Sequence, residues 1–319
     1  MNSVGTFADH LLNAIDAKKS CVVVALDPEY SMIPKVFRSE ILGRTTRAVG
    51  DAIISFNCSI IDTVANLVPA VKPNIAFYEQ YGTEGIFSLL LTIRYAKSKG
   101  LIVIEDTNRG DVPDATYAYA RSHLGSIDID GKLTTVFGAD AITVNPYLGL
   151  HSITPYLEYT KKDAKGIFIL VKTSNVSTND VQEAILQDGN TLVFERIGIQ
   201  VDALGSSAVG TRNYSSVGAV VSAQVPEHTQ RLRAIMPKTM FLVPGYGAQG
   251  ATARQVLPCF NKDGYGALIA SSRAINYPRA IPMDISRGSF QELVKNEVDR
   301  MNHDINNVLS DARILPWGI

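Results

Sequence analysis

The residues of this sequence best suited to chemistry form one polar cluster that directly follows a short apolar run. The run occupies residues 101–104, and the cluster comprises Glu105, Asp106, Asn108, Arg109 and Asp111. A short apolar run bounded by glycine is typical of a buried parallel strand, and polar groups at its carboxyl end are typical of a binding or catalytic site. We therefore expect a site here. For this segment alone, a surface turn with scattered charges is the alternative.

The rest of the chain repeats this pattern. Further apolar segments lie at 21–26, 70–73, 141–144, 167–171, 217–221, 240–243 and 266–270. Helical patterns lie at 6–17, 45–67, 84–98, 114–124, 151–159, 189–204, 226–236, 252–260 and 290–309. Buried strands alternating with helices predict an α/β fold of the (β/α)8 TIM-barrel class, with residues 1–319 as a single domain. A doubly wound open sheet is the alternative, but no Gly-x-Gly-x-x-Gly follows the first segment.

In such a barrel, chemistry takes place where the strands end. The polar candidates there are Asp27, Lys72, Asp106, Asn145, Lys172 or Ser174, and the segments 245–250 and 271–273. Because main-chain N–H groups of glycine-rich turns and a helix N-terminus attract anions, the last two segments predict a phosphate site. The candidates for that role are Gly247, Gln249, Ser272 and Arg273, although a glycine-rich turn by itself is more often only a tight loop.

Composition narrows the class of function. Lys and Arg number 30 against 31 Asp and Glu, so the net charge of −1 gives no electrostatic argument for nucleic acid or a membrane as a partner. The apolar stretches are too short to span a bilayer and residues 1–18 lack a signal-peptide pattern, so we expect a cytoplasmic protein. The cysteines and histidines lack metal-ligand spacing, so no metal is expected. Histidines such as His123 are interpreted as solvent-facing or capping residues on helices.

Several of these segments, taken in order, carry a family pattern. They are Cys-x-x-x-x-Leu-Asp-Pro at 21–28, Ala-Val-Lys-Pro-x-x-Ala-x-Tyr-Glu-Gln-x-Gly at 70–82, Asp-x-x-Arg-Gly-Asp at 106–111, Ala-Tyr-Ala at 118–120, Val-Asn-Pro-Tyr-Leu-Gly at 144–149, Leu-Val-Lys-Thr-Ser-Asn at 170–175, Val-Pro-Gly-Tyr-Gly-Ala-Gln-Gly at 243–250 and Ser-Ser-Arg at 271–273. Together they span nearly the whole chain. The sequence resembles the orotidine 5′-monophosphate decarboxylase family, in particular its longer bacterial type.

The resemblance implies a homodimer of barrels that needs neither metal nor cofactor. It implies that Asp27 and Lys72 hold the ribose hydroxyls, that Ser174 contacts the pyrimidine, and that Gln249 and Arg273 hold the 5′-phosphate. Asp106 would lie against the substrate carboxylate, and Asp111 would reach into the partner's site. The implied chemistry is loss of CO2 from C6, which leaves a carbanion that must be stabilised and protonated. The energy of phosphate binding would hold the closed site together.

The sequence departs from the family where the chemistry takes place. The family's motif is Asp-x-Lys-x-x-Asp, and its lysine position is occupied here by Asn108. That lysine donates the proton to C6, whereas an asparagine amide is not an acid near neutral pH. A positioned general acid is typically worth ~10²- to 10⁴-fold in rate. The family also has threonine where this chain has Ala115. The catalytic candidates are therefore Lys72, Asp106, Asn108 and Asp111, with an impaired or altered reaction.

Three functions remain open at this point. The chain is a decarboxylase of orotidine 5′-monophosphate in pyrimidine biosynthesis, working poorly or with Lys72 as the proton source. Alternatively it is a diverged paralogue acting on another nucleoside or sugar 5′-phosphate, in which Glu105 and Asp106 would be candidate Mg²⁺ ligands. Against the metal, adjacent residues of a strand point to opposite faces. The third possibility is a non-catalytic nucleotide-binding protein.

Overall fold

The computed structural model describes residues 5–39, 43–247, 250–278 and 281–318. Its strands are β1 (Val22–Leu26), β2 (Ala70–Pro73), β3 (Ile102–Arg109), β4 (Ile127–Ile129), β5 (Lys132–Thr134), β6 (Ala141–Val144), β7 (Gly166–Lys172), β8 (Ser215–Val221), β9 (Thr239–Val243) and β10 (Ala267–Ser271). All except β4 and β5 close into one parallel barrel in the order β1-β10-β9-β8-β7-β6-β3-β2. The predicted (β/α)8 fold is therefore confirmed. That residues 1–319 form a single domain stays a prediction.

Helices lie between successive barrel strands, and one further helix stands before the first strand and another near the end of the chain. They are α1 (Phe7–Lys18), α2 (Thr46–Val64), α3 (Ala76–Glu79), α4 (Gly82–Ser98), α5 (Pro113–His123), α6 (Thr154–Lys162), α7 (Val193–Gly205), α8 (Pro226–Ile235), α9 (Ala253–Val256), α10 (Arg273–Asn276) and α11 (Arg287–Asp311). Among the described residues, no helix is long and apolar enough to cross a membrane.

The barrel strands are apolar because both of their faces are buried. Every residue of β1, β6 and β9 is buried. Val23, Ile104 and Phe168 belong to one cluster that fills the barrel, while Val24 and Ile142 pack in a second cluster with the surrounding helices. This alternation between inner and outer layers decides which polar residues at the strand ends face into the barrel.

Two features differ from the sequence interpretation. Strand β3 continues through the polar cluster to Arg109 instead of ending before it, with an irregular register between Glu105 and Arg109. An antiparallel hairpin of β4 and β5 precedes β6 and was not predicted. Its turn residues Asp130 and Gly131 both have positive φ, of 52° and 83°. An Asp-Gly turn is a strong hairpin signal, so this element was detectable from the sequence.

Helix α1 covers the amino-terminal end of the barrel. Phe7 packs edge-on against Phe168, with the ring centroids 6.1 Å apart. The buried Asp9 carboxyl accepts main-chain N–H bonds from Thr6, Thr211 and Arg212, at 3.1, 3.1 and 3.0 Å. Burial alone would raise the pKa of Asp9, but these hydrogen bonds lower it to about 2. Asp9 therefore ties α1 to the segment before β8 through its ionised form.

Arg233 on α8 links the segments that lead into β9 and β10. Its buried guanidinium donates to the carbonyl oxygens of Met236, Thr239, Cys259 and Gly266, at 2.8 to 3.0 Å. It also lies 3.6 Å from the centroid of the Phe241 ring. Burial lowers the pKa of Arg233 to about 10. The planar fork of donors lets one side chain join α8 to β9 and to the start of β10.

Candidate active site

The centre of the candidate site is a buried ion pair between neighbouring strands. Lys72 on β2 and Asp106 on β3 are joined through Nζ and Oδ2, with side-chain exposures of 8% and 15%. Burial alone would lower the pKa of Lys72, but the charges of Asp106 and Asp27 raise it above its ordinary value. Burial would likewise raise the pKa of Asp106, but Lys72 holds it below its ordinary value. At neutral pH this pair is therefore an ammonium and a carboxylate.

Asp106 is held from its other side by β6. The hydroxyl of the buried Thr143 donates to Asp106 Oδ1 at 2.8 Å and accepts the main-chain N–H of Asn108 at 2.9 Å. Asn108 is exposed and has a left-handed backbone, with φ of 46°. Its side chain also hydrogen-bonds Asp106, which helps to lower the pKa of that carboxyl. Asn108 therefore lies at the predicted site, beside Asp106.

Asp27 provides a second carboxyl next to this pair. It follows β1, and its Oδ1 is buried without a hydrogen-bond partner among the described residues. Burial raises the pKa of Asp27 above its ordinary value, which the charge of Lys72 and the hydroxyl of Ser272 partly offset. A buried polar atom with no partner carries a free-energy cost, so Asp27 is suited to accept a bond from a ligand hydroxyl.

A cavity of about 430 Å³ opens beside Asp27. It is lined by Asp27, Glu29, Met32, Phe77, Gly245, Tyr246, Ala270, Ser271, Ser272, Arg273 and Tyr277. This volume suits a small-molecule ligand of nucleotide size. Sequence reasoning found Asp27, Ser272 and Arg273, but it missed Met32, Phe77 and Tyr277 because apolar and aromatic side chains look like core residues in a sequence.

Two of the predicted phosphate residues, Ser272 and Arg273, line this cavity with Gly245 and form its glycine-rich corner. Gly245 and Gly247 have positive φ of 92° and 74°, which only glycine adopts readily. Arg273 is exposed at the start of α10 and lines the cavity together with Ser272. Gln249, also predicted to bind the phosphate, falls outside the described residues. The corner therefore combines a tight glycine turn with one guanidinium.

Ser174 lies in the long connection between β7 and α7. The base of this connection is fixed by the buried Lys172, whose Nζ lies 2.7 Å from Thr178 Oγ1 and 2.8 Å from Glu183 Oε1. Gln182 adds a second tie, because its amide accepts the N–H of Thr173 at 2.9 Å. Ser174 itself is half-buried. Of the two predicted residues at this strand end, Lys172 thus has structural partners, and Ser174 does not line the cavity beside Asp27.

Arg109 is the last residue of β3, and Asp111 lies just beyond it. Asp111 is half-buried, and its Oδ1 accepts the N–H of Val112 at 2.7 Å. Arg109 turns outward to Glu79, with Nη2 and Oε1 3.1 Å apart, and lies over the Tyr119 ring. The outward position of Arg109 excludes it as a substitute for a lysine at position 108.

Glu105 and Asp106 face opposite sides of β3, as strand alternation requires. Glu105 is fully buried, and its Oε2 lies 2.8 Å from Nδ1 of His123 on α5. The interpretation of His123 as a solvent-facing or capping residue is therefore wrong, since the imidazole pairs with a buried carboxyl and stacks on Phe137. Among the described residues, no group of three or more His, Cys, Asp and Glu side chains could hold a metal ion.

Comparison with known proteins agrees with this geometry. The family model described as "Orotidine 5'-phosphate decarboxylase / HUMPS family" matches residues 20–277. The orotidine 5′-phosphate decarboxylase of Rhodopirellula baltica is 39% identical over 303 residues, which cover 94% of this chain and 99% of that protein. The enzyme of the same name from Clostridium botulinum strain Langeland is 37% identical over 286 residues, covering 89% of this chain and 94% of that protein.

Solved structures give the same result. The structure of Leishmania donovani OMP decarboxylase aligns with a TM-score of 0.72 and 27% identity, over 95% of this chain and 98% of that one. A putative orotidine 5′-phosphate decarboxylase from Streptomyces avermitilis aligns with a TM-score of 0.78 and 26% identity, over 97% of each chain.

Proposed function

The chain belongs to the orotidine 5′-phosphate decarboxylase family, and we propose that it converts orotidine 5′-monophosphate to uridine 5′-monophosphate and CO2 in pyrimidine nucleotide biosynthesis. The buried Lys72–Asp106 pair carries this proposal, since it places an ammonium and a carboxylate side by side at the mouth of the barrel. The adjoining cavity, which both Asp27 and Arg273 line, supports a nucleotide as the ligand.

The reaction needs the C6–carboxylate bond to break and its electron pair to remain on C6. Asp106 keeps its negative charge because Lys72 and Thr143 stabilise it, so a substrate carboxylate placed beside it is repelled. Loss of neutral CO2 relieves that repulsion. The carbanion that remains is attracted by the Lys72 ammonium, and preorganised charge of this kind is a large source of catalysis in a site shielded from water.

Lys72 is the proton donor in this proposal. Its Nζ transfers one proton to C6, giving uridine 5′-monophosphate and a neutral amine, which then regains a proton from water. Asn108 lies at the position of the family's lysine and carries no acidic proton. Because Lys72 also balances the charges of Asp106 and Asp27, it serves less freely as an acid than a dedicated lysine would. We therefore expect slow turnover.

The rest of the site would bind the nucleotide. Asp27 and Lys72 would take the ribose hydroxyls, since one buried Asp27 oxygen has no hydrogen-bond partner among the described residues. Ser174 would contact the pyrimidine from the β7–α7 connection. Gly247, Gln249, Ser272 and Arg273 would hold the 5′-phosphate at the glycine-rich corner.

Calorimetric titration with orotidine 5′-monophosphate, uridine 5′-monophosphate and uridine tests the proposal, with loss of the orotate absorbance followed in the same samples. We expect both nucleotides to bind more tightly than uridine, together with slow decarboxylation. Arg273→Met should remove the preference for the nucleotides, whereas Arg94→Met, which alters an exposed arginine on α4, should leave it unchanged. Binding without turnover would instead support a repurposed or non-catalytic nucleotide site. Absence of binding would refute the nucleotide assignment.

We also propose a homodimer in which Asp111 of each protomer completes the partner's site. The position of the half-buried Asp111 just beyond the end of β3 supports this arrangement. Lys72→Met and Asp111→Asn should each inactivate the protein, and a 1:1 mixture refolded together should regain about a quarter of the activity, because half of the dimers then hold one intact site. Sedimentation that shows only monomer at micromolar concentration, or no recovery in the mixture, would refute the shared site.

A further inference from the structure

Strand β3 carries a bulge at the polar cluster. Glu105 pairs with Ile142 of β6, and the next pair is Arg109 with Val144. Three residues of β3, Asp106, Thr107 and Asn108, therefore stand opposite Thr143 alone. Bulges of this kind redirect side chains next to active sites, and they leave main-chain groups that need new partners.

Thr143 supplies those partners. Its hydroxyl accepts the N–H of Asn108 at 2.9 Å, and its main-chain carbonyl accepts the hydroxyl of Thr107 at 2.8 Å. Because the Asn108 N–H can only donate, the Thr143 hydroxyl must direct its own hydrogen elsewhere. That hydrogen goes to Asp106 Oδ1, 2.8 Å away.

The Asp106 carboxyl is held by residues of both strands that flank β3. In the barrel order, β3 lies between β6 and β2. Thr143 on β6 binds Oδ1, and Lys72 on β2 binds Oδ2. The two bonds together leave the carboxyl one orientation, and Thr143 is almost fully buried, at 1% exposure.

We propose that Thr143 is a positioning residue of the active site, whose hydroxyl orients the Asp106 carboxylate toward Lys72 and the substrate. The proposal rests on the proposed function for its kinetic consequence. An alternative role, in which Thr143 only satisfies the Asn108 N–H of the bulge, would affect stability without affecting Asp106.

Thr107 offers a matched control for this distinction. Its hydroxyl is also buried, also joins β3 to β6 and makes a bond of the same 2.8 Å length. That bond goes to the β6 main chain and not to Asp106. Thr143→Val and Thr107→Val therefore each remove one buried hydroxyl between the same two strands, and only the first removes a partner of Asp106.

The kinetic test compares decarboxylation of orotidine 5′-monophosphate by the parent, the two valine variants and Thr143→Ser. Hydrogen bonds to charged groups are among the stronger ones, so we expect Thr143→Val to lower kcat by about ten- to a hundredfold, with KM changed less than about threefold. Thr143→Ser should restore most of kcat, and Thr107→Val should match the parent. Equal kcat for the two valine variants would overturn the proposal.

A second measurement needs no turnover. The titratable groups facing Asp106 are Lys72 from β2 and Asp27 from the end of β1, and neither is altered in these variants. Carbon-13 NMR of the side-chain carboxyls in the free protein, with Asp106 assigned through Asp106→Asn, should show a raised Asp106 pKa in Thr143→Val only. An unchanged pKa would overturn the proposal. A parent with no decarboxylase activity would refute the proposed function, and this titration would then decide the role of Thr143.

Discussion

Replacing Asn108 with lysine should increase decarboxylation, at a small cost in stability. Asn108 has a left-handed backbone and hydrogen-bonds Asp106 through its side chain. Lysine in that conformation costs about 1 kcal/mol of folding free energy, because its Cβ crowds the following carbonyl. In return it adds a general acid and a second cation beside Asp106, and a positioned general acid is typically worth ~10²- to 10⁴-fold. We expect kcat to rise by about a hundredfold, the low end, since Lys72 already acts there.

Asn108→Met is the control that separates the effect of backbone strain from the effect of an added ammonium. Methionine meets the same backbone strain and has a long, unbranched side chain, but it has no ammonium. Both variants should lose about 1 kcal/mol of unfolding free energy in urea titrations, and only the lysine variant should gain activity in the orotate-absorbance assay. If the lysine and methionine variants turn over at the same rate, a missing acid at position 108 does not limit the reaction. The site would then be shaped for another ligand, and adding Ala115→Thr would not rescue it.

Three further changes test the ion pair and two structural contacts. Lys72→Met should abolish turnover and lower the unfolding free energy by about 3 kcal/mol at pH 7, because it leaves the Asp106 and Asp27 carboxylates without a cation; urea titration should show a smaller loss at pH 5, where protonation relieves them. Arg233→Lys should lower the unfolding free energy by about 3 kcal/mol in the same titration, since an ammonium cannot reach all the carbonyls that the guanidinium binds. A change below 1 kcal/mol would show that these hydrogen bonds contribute little to stability. Asp9→Asn should cost up to about 2 kcal/mol at pH 7, and thermal unfolding should show this difference vanishing as the pH falls from about 4 to 2, because the lowered Asp9 pKa stabilises the fold only while the carboxyl is ionised.

The barrel was predictable because its strands are buried on both faces. Runs such as residues 22–26 and 240–243 are apolar throughout, and between helical segments such runs leave few alternatives to a parallel strand. The extent of β3 was not predictable in the same way. Glu105 lies on the outer face of β3, where it pairs with His123. In the sequence, a charged residue directly after an apolar run indicates the end of a strand, and the buried partner that lets the strand continue is not visible.

Candidate site residues were predicted wherever a polar residue follows an apolar run in the sequence. Asp27, Lys72 and Asp106 were found in this way, and the order β1-β2-β3 around the barrel brings them together. Thr143 was missed because a single threonine within a four-residue strand is ordinary β-sheet composition. Only the bulge in β3, which no periodicity reveals, turns its hydroxyl into a partner of Asp106.

The charges at the barrel mouth link the residue at position 108 to the pKa of Asp27. Lys72 is one cation facing two carboxyls, Asp27 and Asp106, and Asp106 stays ionised because it holds the direct contact. Lys72 cannot neutralise both carboxylates, so an excess of negative charge remains and the ionised form of Asp27 is the one disfavoured. The pKa of Asp27 is raised first by burial and further by Asp106. A lysine at position 108 would remove that excess and lower the Asp27 pKa. It follows that nucleotide binding by the parent should gain more from mild acidification than binding by Asn108→Lys. Titrations of uridine 5′-monophosphate at pH 5 and pH 8 test this, and equal gains for the two proteins would show that Asp27 is not the group responsible.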